Sequence, residues 1–180
     1  MSVELVYETH SLTTDNENGV ATGWLDGLLS EAGKQLAAQL GERRRDDNLA
    51  AVFTSDLRRA VETVEIAFVG SDIPVFQDPR LRECDYGLLN GMPVSRLEEE
   101  RLQHIEEPWP EGESYRQVVE RVANFLDELP QRWEGTTVLV IGHSATQWAL
   151  ECSLNGIPLE DLVAAPFRWQ EGWVYRVGRE

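Results

Sequence analysis

Lysine and cysteine are nearly missing from this chain. Among 16 basic side chains Lys34 is the only lysine, against 32 Asp and Glu, so the formal net charge over 180 residues is −16. That acid excess excludes nucleic-acid and anionic-membrane partners, which require a broad basic face. The remaining cations are arginines, always charged and fork-shaped, and suited to discrete anion contacts. Two cysteines, Cys84 and Cys152, are too few for a disulfide framework or a zinc cluster. The first eight residues carry no basic stretch ahead of an apolar one, and no apolar run approaches the roughly 20 residues that span a bilayer. Neither a Gly-x-x-x-x-Gly-Lys nor a Gly-x-Gly-x-x-Gly turn is present, which argues against nucleotide-cofactor folds. No pair among the 3 histidines has metal-ligand spacing. The expectation is a reduced, soluble, cytoplasmic protein without cofactor or metal.

What is present is a folding chain: 42% hydrophobic and 27% charged, with a length that fits one domain over residues 1–180. Short apolar runs alternate with helical periodicity, which predicts an α/β three-layer sandwich with a mainly parallel central sheet and helices on both faces. Strands are expected at 3–7, 50–54, 73–76 and 136–141, the last continuous and β-branched like a strand buried on both faces. Ser30 caps one helix, and Ser55 or Asp56 caps the next, with Leu57, Ala60, Val61, Val64 and Ala67 as its apolar stripe. Residues 80–91 read as an ordered loop. Pro93 opens a charged helix to about His104, inside a short lid or insertion spanning 92–115. Ser114 begins a long helix reaching the region of Pro130, and a helix from Ser144 to about Leu154 stops at Asn155-Gly156. The tail, 167–170 and 173–177, reads as a hairpin on a sheet edge.

Two histidines occupy equivalent places. His10 follows the first strand, and His143 follows the strand 136–141 directly before a helix. Ser55, Arg58 and Arg59 lie beyond the strand 50–54 in the same way. Ligands of open parallel sheets bind beyond the carboxyl ends of the strands. Two imidazoles and one or two guanidinium groups therefore converge on one pocket, a set that suits phosphoryl transfer: imidazole accepts phosphoryl groups, while arginine and helix N-termini bind phosphate oxygens. His104, beside Glu106 and Glu107, reads as a solvated helix end. Gly142-His143-Ser144-Ala145-Thr146 has the outline of a nucleophile elbow, but no histidine follows Ser144 to close a triad in that fold's chain order.

In this order and spacing, several segments together resemble the histidine phosphatase superfamily, the phosphoglycerate-mutase-like enzymes. Thr9-His10-Ser11-Leu12-Thr13-Thr14-Asp15-Asn16 stands for the family's Arg-His-Gly-Glu-Thr-x-x-Asn. The segment from Gly23-Trp24 to Gly33-Lys34-Gln35 is similar to Gly-Trp-x-Asp-x-Pro-Leu-Thr-x-x-Gly-x-Gln. Ser55-Asp56-Leu57-Arg58-Arg59-Ala60, Arg80-Leu81-Arg82-Glu83, Tyr86-Gly87, Gly112-Glu113-Ser114 and Val140-Ile141-Gly142-His143 complete the set.

The resemblance implies a metal-independent phosphomonoester hydrolase of the phosphatase branch. In it His10 is the nucleophile, and Glu83 is the acid that protonates the leaving oxygen and then helps activate water. Arg59, His143 and Asn16 hold phosphoryl oxygens, with Thr9, Ser11 and Ser144 beside them. The partner is a small phosphorylated substrate, and a homodimer stays open. The family's mutases carry longer insertions than 92–115. Trp109, between two prolines, either shapes the substrate entrance or is a packed aromatic. The motif arginine is Thr9 here and the glycine is Ser11, while Glu8 replaces an apolar strand residue. Three outcomes follow from Thr9: a weakened or re-specialised enzyme, a pocket in which Arg58, Arg82 or Arg168 supplies the charge, or an inactive relative that binds a phosphorylated ligand or serves as a scaffold.

Overall fold

The computed structural model describes residues 2–178. Its central sheet is built on β1 (Val3–Thr9), which is followed by the single turn α1 (Thr14–Glu17), the two-residue β2 (Val20–Ala21) and α2 (Glu31–Arg43). Next come β3 (Leu49–Thr54), α3 (Arg58–Ala67), β4 (Val75–Gln77), two 3-10 turns, β5 (Met92–Pro93) and α4 (Val94–Glu100). The chain closes with α5 (Tyr115–Trp133), β6 (Thr137–Gly142), α6 (Ser144–Asn155), α7 (Leu159–Ala164) and β7 (Trp173–Val177). The five-stranded sheet has the order β4-β3-β6-β1-β7. The first four strands are parallel, and β7 runs antiparallel to β1.

β6 sits at the centre, and its alternate residues serve two cores. Val138 and Val140 join the core under α5, α6 and α7. Leu139 and Ile141 join the core under α2 and α3. A strand buried on both faces has no polar face to alternate, hence its unbroken apolar run. The three layers follow as expected from the sequence. Gly33 lets α2 dock: a Cβ there would collide with the carbonyl of Leu12 in the loop after β1.

Several local expectations are corrected. β1 continues through Glu8, which is buried because Arg43 and Arg44 satisfy its carboxylate. Neither Ser55 nor Asp56 caps α3; Leu57 is its first flanking residue, without a side-chain cap. Ser55 instead reaches His143, and Asp56 pairs with Arg82. α5 runs past Pro130 to Trp133, whose ring packs edge-on against Phe53 and Phe76 and so holds the last turn. Residues 167–170 are not a strand, because β7 finds its partner in β1, with Tyr7 opposite Trp173. The helix begun at Val94 tightens into a 3-10 turn at Arg101–His104. Trp109 is a packed core aromatic (1% exposed), set edge-on to Tyr86 and covered by the stacked ring of His104 at 3.7 Å. His104 is therefore an aromatic partner rather than a solvated helix end, and Trp109 does not shape an entrance.

Candidate active site

The carboxyl ends of β1, β3 and β6 meet where the sequence places the chemistry. His10 leaves β1 with its backbone N–H bonded to Gly142 O at 2.8 Å, which ties it to the end of β6. Its Nδ1 lies 2.7 Å from Ser11 O; a carbonyl only accepts, so Nδ1 carries the proton and Nε2 keeps its lone pair. Enclosure and the charge of Arg59 hold the imidazole pKa down to about 3, so the ring is neutral over the physiological range.

His143 is 1% exposed, with its ring centroid 5.0 Å from that of His10. Its Nε2 meets Ser55 Oγ at 2.7 Å, and Tyr7 donates its hydroxyl to the His143 carbonyl at 2.6 Å. Burial, Arg59 and His10 together push its pKa well below the usual value. His143 Nδ1 is buried without a hydrogen-bond partner. A buried polar atom left unpaired costs about 1–3 kcal/mol.

Arg59, in the first turn of α3, is 3% exposed and donates to the carbonyls of Gly23 (2.8 Å) and Leu25 (3.3 Å). Both acceptors are neutral carbonyls, so among the described residues its charge has no hydrogen-bonded carboxylate partner. Gly23 turns with φ +57°, and a Cβ there would meet Asn90 and Tyr86; the turn that aims Arg59 thus needs glycine. The Glu83 carboxylate faces the same cavity and accepts from the N–H of Cys84 at 2.8 Å and of Ala145 at 3.3 Å. Enclosure raises its pKa, opposed by those donors and by Arg59 and Arg121. Asn16 closes the capping box of α1: its side-chain oxygen accepts from Thr13 N at 3.0 Å, so its NH₂ is the end left to donate. Ser144 is the first residue of α6 and borders the same cavity as Glu83, to which the next amide, Ala145 N–H, donates.

His10, Arg59, Glu83, Asn16 and Ser144 all border one cavity of about 290 Å³, with His143 behind His10. Thr9 and Ser11 lie apart from this set. Ser11 donates its hydroxyl to Gly33 O at 2.6 Å and its amide to Thr63 Oγ1 at 2.9 Å, so it braces α2 and α3 against the loop after β1. Thr9 borders a neighbouring cavity. Among the described residues no group of three or more His, Cys, Asp and Glu is placed to hold a metal.

None of the arginines named as able to supply the motif charge borders either cavity. Arg58 pairs with Glu65 at 3.3 Å, Arg82 pairs with Asp56 through two bonds of 2.6 Å, and Arg168 borders neither cavity. The second cation at the cavity is Arg101, from the turn after α4, bonded to Ala165 O at 3.3 Å. No motif marks it, because its place depends on how residues 92–115 fold over the sheet end. No local signal in the chain marks the scaffold of Glu83, where Trp24 Nε1 donates to its carbonyl at 2.7 Å and Arg121 at 3.0 Å. Glu113, in the quoted Gly-Glu-Ser segment, holds Arg121 at 2.8 Å and accepts from Asp85 N at 2.9 Å.

A neutral imidazole, a carboxyl with a raised pKa and a buried guanidinium at the ends of parallel strands form an arrangement suited to phosphoryl transfer. The chain belongs to the histidine phosphatase superfamily (branch 1), whose family model matches residues 9–177. It is 31% identical over 165 residues to phosphoserine phosphatase 1 of Hydrogenobacter thermophilus, covering 87% of this chain and 78% of that protein. A 2,3-bisphosphoglycerate-dependent phosphoglycerate mutase of Bifidobacterium longum is 30% identical, covering 90% and 81%. Among solved structures, Bacillus stearothermophilus YhfR superposes with a TM-score of 0.83 at 30% identity, over 96% of this chain and 90% of that one. A mycobacterial glucosyl-3-phosphoglycerate phosphatase gives 0.75 at 28%, over 91% and 87%.

Proposed function

We propose that this protein is a phosphomonoester hydrolase that carries the phosphoryl group on His10 Nε2. The observation that carries the reading is the 2.7 Å contact from His10 Nδ1 to Ser11 O, which leaves Nε2 unprotonated beside Arg59 and Glu83. Nε2 attacks phosphorus, and the P–O bond to the alcohol breaks as Glu83 gives that oxygen its proton. The Glu83 carboxylate then takes a proton from water, which attacks phosphohistidine and releases phosphate and neutral imidazole. Arg59, the Asn16 amide, His143 Nδ1–H and the α6 N-terminus supply the positive field for the phosphoryl oxygens.

Transfer to water rather than to a second substrate follows from the short 92–115 segment. The relatives named as phosphatases support this branch, and the one named as a mutase marks the alternative. Thr9 brings no charge where the family has an arginine, so the enzyme is weakened or re-specialised; the same residue favours, as second reading, a phosphate-ester binder without turnover. The acid excess argues against nucleic acid and membrane as partners, and a small phosphorylated substrate in the cytoplasm is held by the local cations Arg59 and Arg101 against a repulsive global field. The test is steady-state turnover of a panel of phosphomonoesters by wild type and His10→Ala. Release of phosphate by wild type alone is expected; equal rates would overturn the reading.

A further inference from the structure

Tyr7 lies in β1 between two neighbours, opposite Val140 of β6 on one side and Trp173 of β7 on the other. It is fully buried, and its ring packs against that of Trp173 with centroids 6.0 Å apart. A buried phenol needs a partner for its hydroxyl, and here the partner is the His143 carbonyl at 2.6 Å. That separation is at the short end of O–H···O hydrogen bonds. Glycine makes room for the contact, since a Cβ on Gly142 would stand 2.6 Å from the same hydroxyl oxygen. Burial pushes the hydroxyl pKa up, so it stays a donor across the working range.

His143 is thereby held from two directions. Ser55, at the end of β3, meets the imidazole at Nε2, and Tyr7, on β1, meets the backbone carbonyl. The same carbonyl takes the first helical bond of α6, from Gln147 N at 3.0 Å. That bond engages one lone pair. The tyrosine bond engages the second, and the planar peptide from His143 to Ser144 is then fixed against tipping. A ring carried on that backbone keeps its 5.0 Å spacing from His10.

We propose that Tyr7 is a positioning residue for phosphoryl transfer, its hydroxyl fixing the His143 backbone and so aiming the imidazole at the phosphoryl oxygens. The inference rests on the hydrolase reading above, in which His143 Nδ1–H meets those oxygens. A donor fixed in advance acts most on the charge that develops during transfer, so its loss shows in kcat more than in KM.

The test compares wild type, Tyr7→Phe, His143→Asn and the double variant. Phenylalanine keeps the ring against Trp173 and removes only the hydroxyl. Orthovanadate, which takes up the five-coordinate geometry of the transferring phosphorus, is the probe for calorimetric binding. In Tyr7→Phe its Kd is expected to rise about fivefold to tenfold, kcat to fall by a like factor, and KM to stay within about twofold. In the His143→Asn background, the same change at Tyr7 is expected to move neither quantity by more than about twofold. Loss of urea stability alone, with vanadate binding and kcat unchanged, would show a merely structural hydroxyl and overturn the proposal. An equal loss in both backgrounds, or no vanadate binding to wild type, overturns it as well. Vanadate binding that depends on Tyr7 through His143, in a protein that turns over no phosphomonoester, leaves the positioning role standing and refutes the hydrolase reading.

Discussion

Ser55 Oγ lies 2.7 Å from His143 Nε2 in a buried contact that joins the ends of β3 and β6. The sequence offers Ser55 or Asp56 as the cap of α3, yet the Ser55 hydroxyl meets the second histidine instead. When Ser55 donates to Nε2, the proton of the neutral ring sits on Nδ1, the atom without a partner. Ser55→Ala is expected to lower kcat/KM about fivefold to tenfold, the worth of one buried hydrogen bond at about 1 kcal/mol, with the fold intact by circular dichroism. Unchanged turnover would show that His143 does not act through this tautomer.

The two carboxyl and imidazole shifts set the pH dependence. His10 is neutral down to about 3, so kcat/KM, which reports the free enzyme, has no acid limb at 6.5 where an ordinary histidine would charge. Glu83, with its pKa raised, must be protonated to act as acid, so the rate falls on the alkaline side as it loses that proton. Profiles corrected for the substrate's own second ionisation, about 6, are expected to be highest in acid. An acid limb centred near 6.5 would contradict the geometry at His10.

Stability follows the same histidines with the opposite sign. His10 and His143 bind protons in the unfolded chain below 6.5 but not in the fold, where both are held lower. Their contribution is therefore present above 6.5 and is lost as pH falls below it, for His10 down toward about 3. Urea midpoints are expected to drop over that interval, and to drop less in His143→Asn; equal slopes would refute the assignment.

Thr9, 9% exposed, borders the cavity next to the phosphoryl site, and the prediction for arginine here holds where that space takes its bulk. Thr9→Arg is expected to raise kcat/KM for a small aryl phosphate at least tenfold, since an arginine aimed at a phosphoryl group can be worth ~10³–10⁵. No gain would mean that the charge is already supplied, Arg101 being the cation in place to do so.

Much of this arrangement was legible in the chain because its signals are local. β6 reads as a strand since both its faces are buried, and His10 and His143 read as site residues since each follows such a strand. The losses have one physical cause, contacts between distant segments. Nothing near Glu8 announces that Arg43 and Arg44, on the last turn of α2 and just beyond it, will neutralise it. Nothing in 167–177 tells that Trp173 will pair with Tyr7 rather than fold back on its own tail. Arg101 reaches the site through the fold of residues 92–115. The six-residue α7 is too short for its periodicity to stand out.

The central claim is the covalent intermediate on His10. It is tested most directly by rapid acid-free quench of the enzyme with an aryl phosphate, followed by peptide mass spectrometry. The account predicts acid-labile phosphate on the peptide bearing His10, absent from His10→Ala. Turnover without phosphate on that peptide, or phosphate on another residue, would contradict it.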